Sequence, residues 1–484
     1  MSDLGVAEPP IIQLIVPERP QLPPPTAPAA NPLLDGKILP TLLKLAAPNV
    51  VALSAGTLVV IAETTYIGRL GTESLAAMAL VFPFVILMMT MSGGAMGGGV
   101  SSAIARSLGA DDTKRAATLA IHALMIGLCF GLVFMIGMLV FGPLALATLG
   151  GRDAVLDQAI GYVQIFFGGA IIPWLMNTFA SILRGTGNMK LPSAVILNSA
   201  VCQIVLGGVL GLGLGPVPQF GMRGVAAGSL IAYSIGTSIM AWYIFSGRAR
   251  VQPKLRGLTF ERRLFFDILK VGAIACFSPL QSVLTITIVT RLLAGFGTAV
   301  LAGYGIGARL EFMLSSLAFA VGVASVPMVG MAIGARRVAR ARRIAWTSGT
   351  IAFTVVGFFG TLVAIFPDLW VNMFTQDVGV RAASHAYLAT AAPMYGFLGL
   401  ATSMYFASQG AAKVIGPVLA QTARLVFIAI GGWWLTTHHA GAEAFFLLAA
   451  ASMIVLGLLS ALSVTLTRWG DRPAPVPDIR PAMS

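Results

Sequence analysis

Residues 162–192, YVQIFFGGAIIPWLMNTFASILRGTGNMKLP, and residues 387–417, YLATAAPMYGFLGLATSMYFASQGAAKVIGP, decide the reading of this chain, because one is a spaced copy of the other. Tyr162, Gly185 and Pro192 meet Tyr387, Gly410 and Pro417 at an offset of 225 residues. Outward from this stretch, Gly109 and Phe141 meet Gly334 and Phe366 at the same offset, while Gly71 and Leu75 meet Gly297 and Leu301 at 226. Matched glycines mean little where Gly occurs 55 times. Tyr occurs only 8 times in 484 residues, so an in-register Tyr followed by an in-register Pro marks a duplication. Duplicated hydrophobic halves are how many transporters frame a site between two lobes.

The chain is 57% hydrophobic and 10% charged, with a mean hydropathy of +0.87, far more apolar than a soluble core of this size can bury. Apolar stretches long enough to cross about 30 Å of hydrocarbon as helix fall at 41–66, 75–101, 116–141, 160–183, 191–214, 224–246, 264–290, 299–330, 344–366, 386–409, 415–437 and 443–467. These runs lack the alternation of a membrane β-barrel. The expectation is an all-α polytopic membrane protein of twelve spans, six per half. An even number returns the second half in the orientation of the first, so a pseudo-two-fold along the membrane normal should relate the two lobes.

The net charge of +13 is distributed as a topology signal, not as a nucleic-acid surface. One set of loops holds Arg106, Lys114, Arg115, Arg184, Lys190, the run Arg248 to Lys270, the run Arg336 to Arg343, and Lys413. The other set holds only Arg69, Arg152, Arg223, Arg291 and Arg381. This asymmetry predicts both termini in the cytoplasm, with anionic lipid headgroups as a secondary partner of the 248–270 and 336–343 clusters. The domain expectation is a disordered tail over 1–37, an N-lobe over 38–246, a cytoplasmic linker over 247–263, a C-lobe over 264–467 and a tail over 468–484. Cys129, Cys202 and Cys276 fall inside spans and imply no disulfide framework.

None of the seven lysines is followed by Ser or Thr, so a phosphate-binding loop of the Walker type is absent, as are HExxH and GxSxG. No enzyme or ATPase is expected, and energy must come from a gradient. His438 and His439 read as solvated loop residues. Lys44 and His122 lie near span ends, where a long or amphipathic side chain reaches the interface. Glu63, Arg309, Glu311 and Arg424 are the charges at depth, and such residues are functional candidates by default. Glu63 is either a carboxylate facing the cleft or one that stays wet near the outer surface. Arg309 and Glu311, two residues apart on a helix, point away from each other and need separate partners. The depths of Glu311 and Arg424 suggest a pair, functional or a buried structural bridge. Pro48, Pro83, Pro173, Pro279, Pro327 and Pro393 predict kinks, and the Gly-dense second span of each half predicts close packing or a bendable helix.

Near the end of the first span, Glu63-Thr64-Thr65-Tyr66-Ile67-Gly68-Arg69-Leu70-Gly71 resembles the D-T-x-x-x-G-x-L-G of the multidrug and toxic compound extrusion (MATE) family. Leu183-Arg184-Gly185 with Pro192 resembles that family's L-R-G-x-x-x-x-x-x-P loop, echoed by Gln409-Gly410 and Pro417. The resemblance covers about residues 38–467. It implies two six-helix lobes in a V around a central cleft, and export of amphipathic cations driven by inward H+ or Na+ flow with no other cofactor. It also places ion coupling on the acid at Glu63. The matching span-five stretch, Gln203-Ile204-Val205-Leu206-Gly207, departs from the family's N-x-x-L-D. Glu63 therefore lacks an obvious second carboxylate, leaving Asn198 and Gln203 as its hydrogen-bonding candidates. Gln281 lies near where one branch carries a span-seven acid, and Leu398 where it carries a span-ten acid, so coupling in the C-lobe would fall to Glu311.

The expected cargo surface comprises Phe82, Phe84, Met88, Met89, Phe312 and Met313, adaptable apolar side chains near the cleft. A monomer that exports a small molecule is the leading expectation. A lipid-linked saccharide flippase, or an exporter of organic anions held by Arg309 and Arg424, remains the alternative. A passive channel or scaffold fits less well, since neither needs isolated acids at depth.

Overall fold

The computed structural model describes residues 31–253 and 260–470. A short α1 (Pro32–Asp35) leads into α2 (Ile38–Leu70). The second crossing joins α3 (Thr72–Met89), a π-helical stretch Thr90–Met96 and α4 (Gly97–Gly109); α5 (Thr113–Thr148) follows. The fourth is bent by 49° between α6 (Asp153–Phe166) and α7 (Ile171–Gly185). α8 (Lys190–Leu212) and α9 (Gly221–Phe245) complete the first lobe. The second lobe opens with α10 (Arg262–Ala275) and α11 (Phe277–Ala294), then α12 (Thr298–Gly334) and α13 (Val338–Ile365). After a short α14 (Asp368–Val371), α15 (Val378–Ala391) joins α16 (Tyr395–Gly410) through a 3-10 turn, and α17 (Ile415–Thr437) and α18 (Ala442–Leu466) close the chain.

Among the described residues, ten helical runs are long and apolar enough to cross a membrane, and the bent α6–α7 pair makes an eleventh. The α15–α16 run occupies the same place in the second repeat and makes the twelfth. The protein is an all-helical, multi-pass membrane protein with two six-helix lobes about a central cleft. Each expected span falls within a few residues of a helical run.

The repeat is visible in the backbone. The break at 167–170 recurs at the 3-10 turn Ala392–Met394, 225 residues on. Gly71 (φ 126°) and Gly297 (φ 100°) make the same left-handed turn, a conformation open to glycine and costly to other residues. Within each lobe, Gly185 lies against Ser101 and Ile104, and Gly410 against Val326 and Val329, which are the 225-residue counterparts. Between lobes, a Cβ on Gly109 would strike the Met331 backbone, and one on Gly334 would strike the Arg106 backbone. Residues 106 and 331 are themselves a repeat pair. The ends of α4 and α12 therefore cross on the pseudo-two-fold axis, at the face that carries the Arg- and Lys-rich loops, called here the basic face.

Other contacts seal the same face. Ser102 Oγ donates to the Gln409 carbonyl at 2.5 Å, and Gly99 abuts the Gly272 backbone. Arg106 and Arg115 of the first lobe both pair with Asp267 of α10, at 2.8 and 3.1 Å. Glycines of the second crossing thus serve close packing at 97–99, beside a π-helical stretch at 90–96 that leaves its hydrogen-bond register irregular. The corresponding stretch of α12 is continuous helix. Pro48, Pro83 and Pro327 lie inside helices that run on uninterrupted past them. Pro393 sits in the 3-10 turn, and Pro173 and Pro279 just past breaks.

Two expectations need correcting. Residues 31–37, read as part of a disordered tail, are ordered: Asn31 caps α1, and Arg337 donates to the Leu34 carbonyl (2.9 Å) and Asp35 Oδ1 (2.7 Å). Arg340 donates to the Gly36 carbonyl (2.6 Å), while Leu33 tucks under Gly187 of the first lobe. The rest of that tail, the linker residues Lys254 and Arg256, and the C-terminal stretch from 471 lie outside the described residues. His122 does not reach an interface. It is buried, with Nδ1 bonded to the Thr118 carbonyl (2.9 Å) and Nε2 accepting the Glu261 N–H (3.1 Å), and so pins the start of α10 to α5.

The Asp35 carboxyl is held below the usual range by the Arg337 guanidinium that donates to it. A depressed acid supports the folded contact above its unfolded pKa and loses that support as pH falls through the folded one. Hydrogen-exchange protection factors at 31–36, taken relative to the intrinsic rate at each pH, should thus be flat from neutral pH to about pH 5 and fall below about pH 4. Asp35→Asn should remove that acid step; a step that survives the substitution would assign it to another group.

Candidate ion and substrate site

Glu63 is 6% exposed, inside the first lobe and not in solvent. α2 brings it against α8 and α9, where Gln203 Nε2 donates to Glu63 Oε1 at 2.9 Å and Ser229 Oγ approaches the same oxygen at 3.4 Å. Among the described residues no Lys, Arg or His pairs with it. Tyr66, Tyr162 and Tyr233 stand around the carboxylate. Gly207, the position that departs from the family's aspartate, lies under the Tyr66 hydroxyl: a Cβ there would come within 2.5 Å of it. A buried tyrosine hydroxyl fills the space that a second acid would use. Asn198 is exposed on α8 and does not reach Glu63; five residues from Gln203, it points about 140° away.

The second lobe holds an unlike counterpart. Arg424 Nη2 and Glu311 Oε1 approach to 3.9 Å, an ion pair without a direct hydrogen bond, and Arg424 Nε donates to Ser452 Oγ at 3.3 Å. Tyr387, fully buried, lies beside Glu311 and packs edge-on against Tyr304 at 5.2 Å. Each in-register tyrosine, Tyr162 and Tyr387, therefore lies within electrostatic reach of its lobe's acid, Glu63 buried and Glu311 partly exposed. The acids come from non-equivalent helices, since the positions matching Glu63 are Ile288 and Val289. Gln281 is apart from this pair and donates to Thr422 Oγ1 at 2.6 Å, next to a Gln421–Ser282 bond of 3.0 Å. Arg309 faces outward, with its guanidinium 5.3 Å from the centre of the Phe374 ring, and is not part of the network.

Of the expected cargo surface, Phe312 (58% exposed) and Met313 (39%) are open. Phe82 is half-buried, Phe84 and Met89 pack against the first lobe's core, and Met88 is fully buried within it. Helical spacing explains the split, because Met88 and Met89 are 100° apart and their helix turns the first inward. Reading the sequence missed Ser229 and Ser452, which carry no motif, and it counted Arg184 as a loop charge although that residue is buried. Tyr162 and Tyr387 had a signal in hand: they were the strongest marks of the repeat.

The MatE family model matches residues 48–209 and 275–434, once in each half. An FAD transporter of Shewanella oneidensis is 23% identical over 403 residues, covering 82% of this chain and 88% of its own. A probable multidrug resistance protein NorM of Deinococcus radiodurans is 25% identical over 414 residues, covering 81% and 87%. Among solved structures, a MOP superfamily transporter from Pyrococcus furiosus superposes with a TM-score of 0.84 at 23% identity, over 90% of this chain and 97% of that one. The Vibrio cholerae MATE transporter VcmN, as a D35N mutant, does so with 0.82 at 21% identity, over 88% and 96%. With both repeats matched, the chain belongs to the MATE family: it is a membrane efflux transporter and not an enzyme.

Proposed function

We propose that the protein is a proton-coupled antiporter that exports small amphipathic cations from the cytoplasm, with the basic face cytoplasmic and Glu63 as the coupling residue. The observation that carries this reading is a carboxylate 6% exposed whose bonded partners, Gln203 and Ser229, are both neutral. A buried carboxylate without a counter-charge is stable only by taking up a proton or a cation. The missing second acid favours the proton over Na+: Gly207 stands where the family carries an aspartate, and one carboxylate can take up a proton alone, whereas a Na+ cage needs several anionic or carbonyl oxygens.

Contact between the lobes at the basic face closes the cleft to the cytoplasm, so this form is the one that receives protons from outside. Protonating Glu63 removes the charge that holds a cationic cargo, and releasing the proton restores it. The test is transport of a fluorescent cation in proteoliposomes under separately imposed pH and Na+ gradients. Accumulation should follow the pH gradient alone, and accumulation driven by Na+ at constant pH would overturn the assignment.

An organic-anion exporter is the second reading, favoured by the loosely held Arg424 at 3.9 Å from Glu311. Exchanging the charges, Glu311→Arg with Arg424→Glu, should restore folding lost in either single change if the pair is structural. Retained folding but lost transport in Arg424→Gln would place it in cargo binding.

A further inference from the structure

A largely buried cation with no hydrogen-bond or ion-pair partner among the described residues stands where the two lobes meet. Arg184, in the last turn of α7, is 9% exposed, its Nε has no hydrogen-bond partner, and none of the described side-chain bonds or ion pairs involves it. It lines a cavity of about 20 Å³ with Asn49 and Ile196 of its own lobe and Phe319, Ala320 and Val323 of α12.

The repeat explains why this arginine is unlike its copy. The residue 225 positions on is Gln409, and the counterparts of Gly94 and Gly98 are Phe319 and Val323. Gln409 reaches across to the first lobe, donates Nε2 to the Gly94 carbonyl at 3.3 Å, and lies so close to Gly98 that a Cβ there would overlap it. Two glycines thus give a neutral side chain both room and an acceptor. Arg184 reaches across in the mirror sense and meets Phe319 and Val323 where the glycines would be. It is charged where its copy is neutral, and its Nε finds no acceptor where its copy finds one. Burial of a charge is strongly unfavourable without compensation.

We propose that Arg184 anchors an anion site between the lobes, which takes one small monovalent anionic group: a halide ion, or the carboxylate end of an amphipathic cargo whose body stays in the cleft. The other groups on the cavity agree with an anion. Asn49 Nδ2 has only the weak Met189 Sδ acceptor at 3.6 Å, while its Oδ1 is occupied by Ser193 Oγ at 2.9 Å, so the amide has a donor to spare. No acidic side chain lines the cavity. A volume of about 20 Å³ holds about one water-sized group, which excludes a phosphate. When the lobes close on an occupied site they bury a neutral pair, and when they close on an empty one they bury a bare cation. Occupancy therefore favours the form closed at the basic face, as any ligand favours the state that binds it.

The experiment uses the full-length transporter in nanodiscs in sodium gluconate, titrated with chloride and, separately, with a rhodamine bearing a free carboxylate and with its methyl ester. Thermal unfolding reports chloride, and fluorescence polarisation reports the dyes. Chloride should raise the unfolding temperature saturably, or the acid dye should bind at least tenfold more tightly than its ester; which of the two occurs identifies the source of the anion. Arg184→Gln installs the side chain that the second repeat already tolerates at Gln409, and should weaken that response tenfold or more. Arg184→Lys should keep it in part. Asn49→Leu, which leaves the cation in place, should weaken it as well. A wild-type response to neither probe, or responses in Arg184→Gln and Asn49→Leu that match the wild-type response, overturns the proposal. Glu63→Gln should leave the chloride shift and the acid-to-ester preference intact even where it weakens both dyes alike, so this site and the coupling reading fail separately.

Discussion

Glu63→Gln is expected to reduce gradient-driven export to the level of empty liposomes while leaving the protein folded in the membrane. Glutamine is close to isosteric, still accepts from Gln203 Nε2 at the 2.9 Å position, and carries no charge to desolvate. Its cost in stability should stay within about 1 kcal/mol of zero. What it lacks is a titratable proton, so a cycle that alternates between proton and cation at this carboxylate cannot turn. The measurement is uptake of a fluorescent cation into inverted vesicles, paired with thermal unfolding of the purified variant. Export that persists at half the wild-type rate or more would remove Glu63 from coupling. Glu63→Asp keeps the proton but shortens the reach to Gln203, and should retain a fraction of activity that rises with the imposed pH gradient.

Gly109→Val should shift the protein away from the form seen here. A Cβ at this position would overlap the Met331 carbonyl oxygen, a backbone atom that cannot swing aside. Overpacking of this kind costs about 1–3 kcal/mol, and here the cost falls only on the state in which the lobes touch. The population closed at the basic face should thus drop about 5- to 150-fold relative to the alternative. Spin labels on the ends of α4 and α12 should show the short separation replaced by a longer one. Gly305→Val, at a position with nothing within 4 Å of a Cβ, is the control and should leave the distances unchanged. An unchanged distance in Gly109→Val would mean that the crossing tolerates the extra atoms and is not a tight contact.

The architecture was legible in the sequence because its signals are additive over many residues. Hydropathy sums over twenty positions, and the repeat sums over landmarks such as Tyr162 and Tyr387. Span limits and the six-plus-six order follow from such sums, and the family from short motifs at Glu63–Gly71 and Leu183–Pro192. The sites were only partly legible, because a buried contact depends on which face a single residue turns inward. Glu63 with Gln203 could be inferred from the family's positions, whereas Asn198, on the same helix and equally polar, turns outward. The Glu311–Arg424 approach followed from depth alone, but Arg309 lies over Phe374 because a loop beyond the membrane helices comes back to meet it. Met88 looked like a cleft residue by position and is core by rotation. Arg184 was hidden most thoroughly: its place in a basic loop pattern suggested water, and only the fold shows that the opposite lobe covers it.

The crossing of Gly109 and Gly334 also sets how abruptly the basic face can open. α12 is 37 residues long, about 55 Å at 1.5 Å per residue, so a lobe that rocks about its middle swings this contact on a lever arm of about 28 Å. A rotation of about 2° parts the backbones by about 1 Å, which already forfeits up to about half of the dispersion attraction between them. Side chains that interleave would resist such a motion progressively. Bare backbone laid on backbone does not, and the closure at this point is brittle: nearly intact or nearly gone, with little of the travel spent in between.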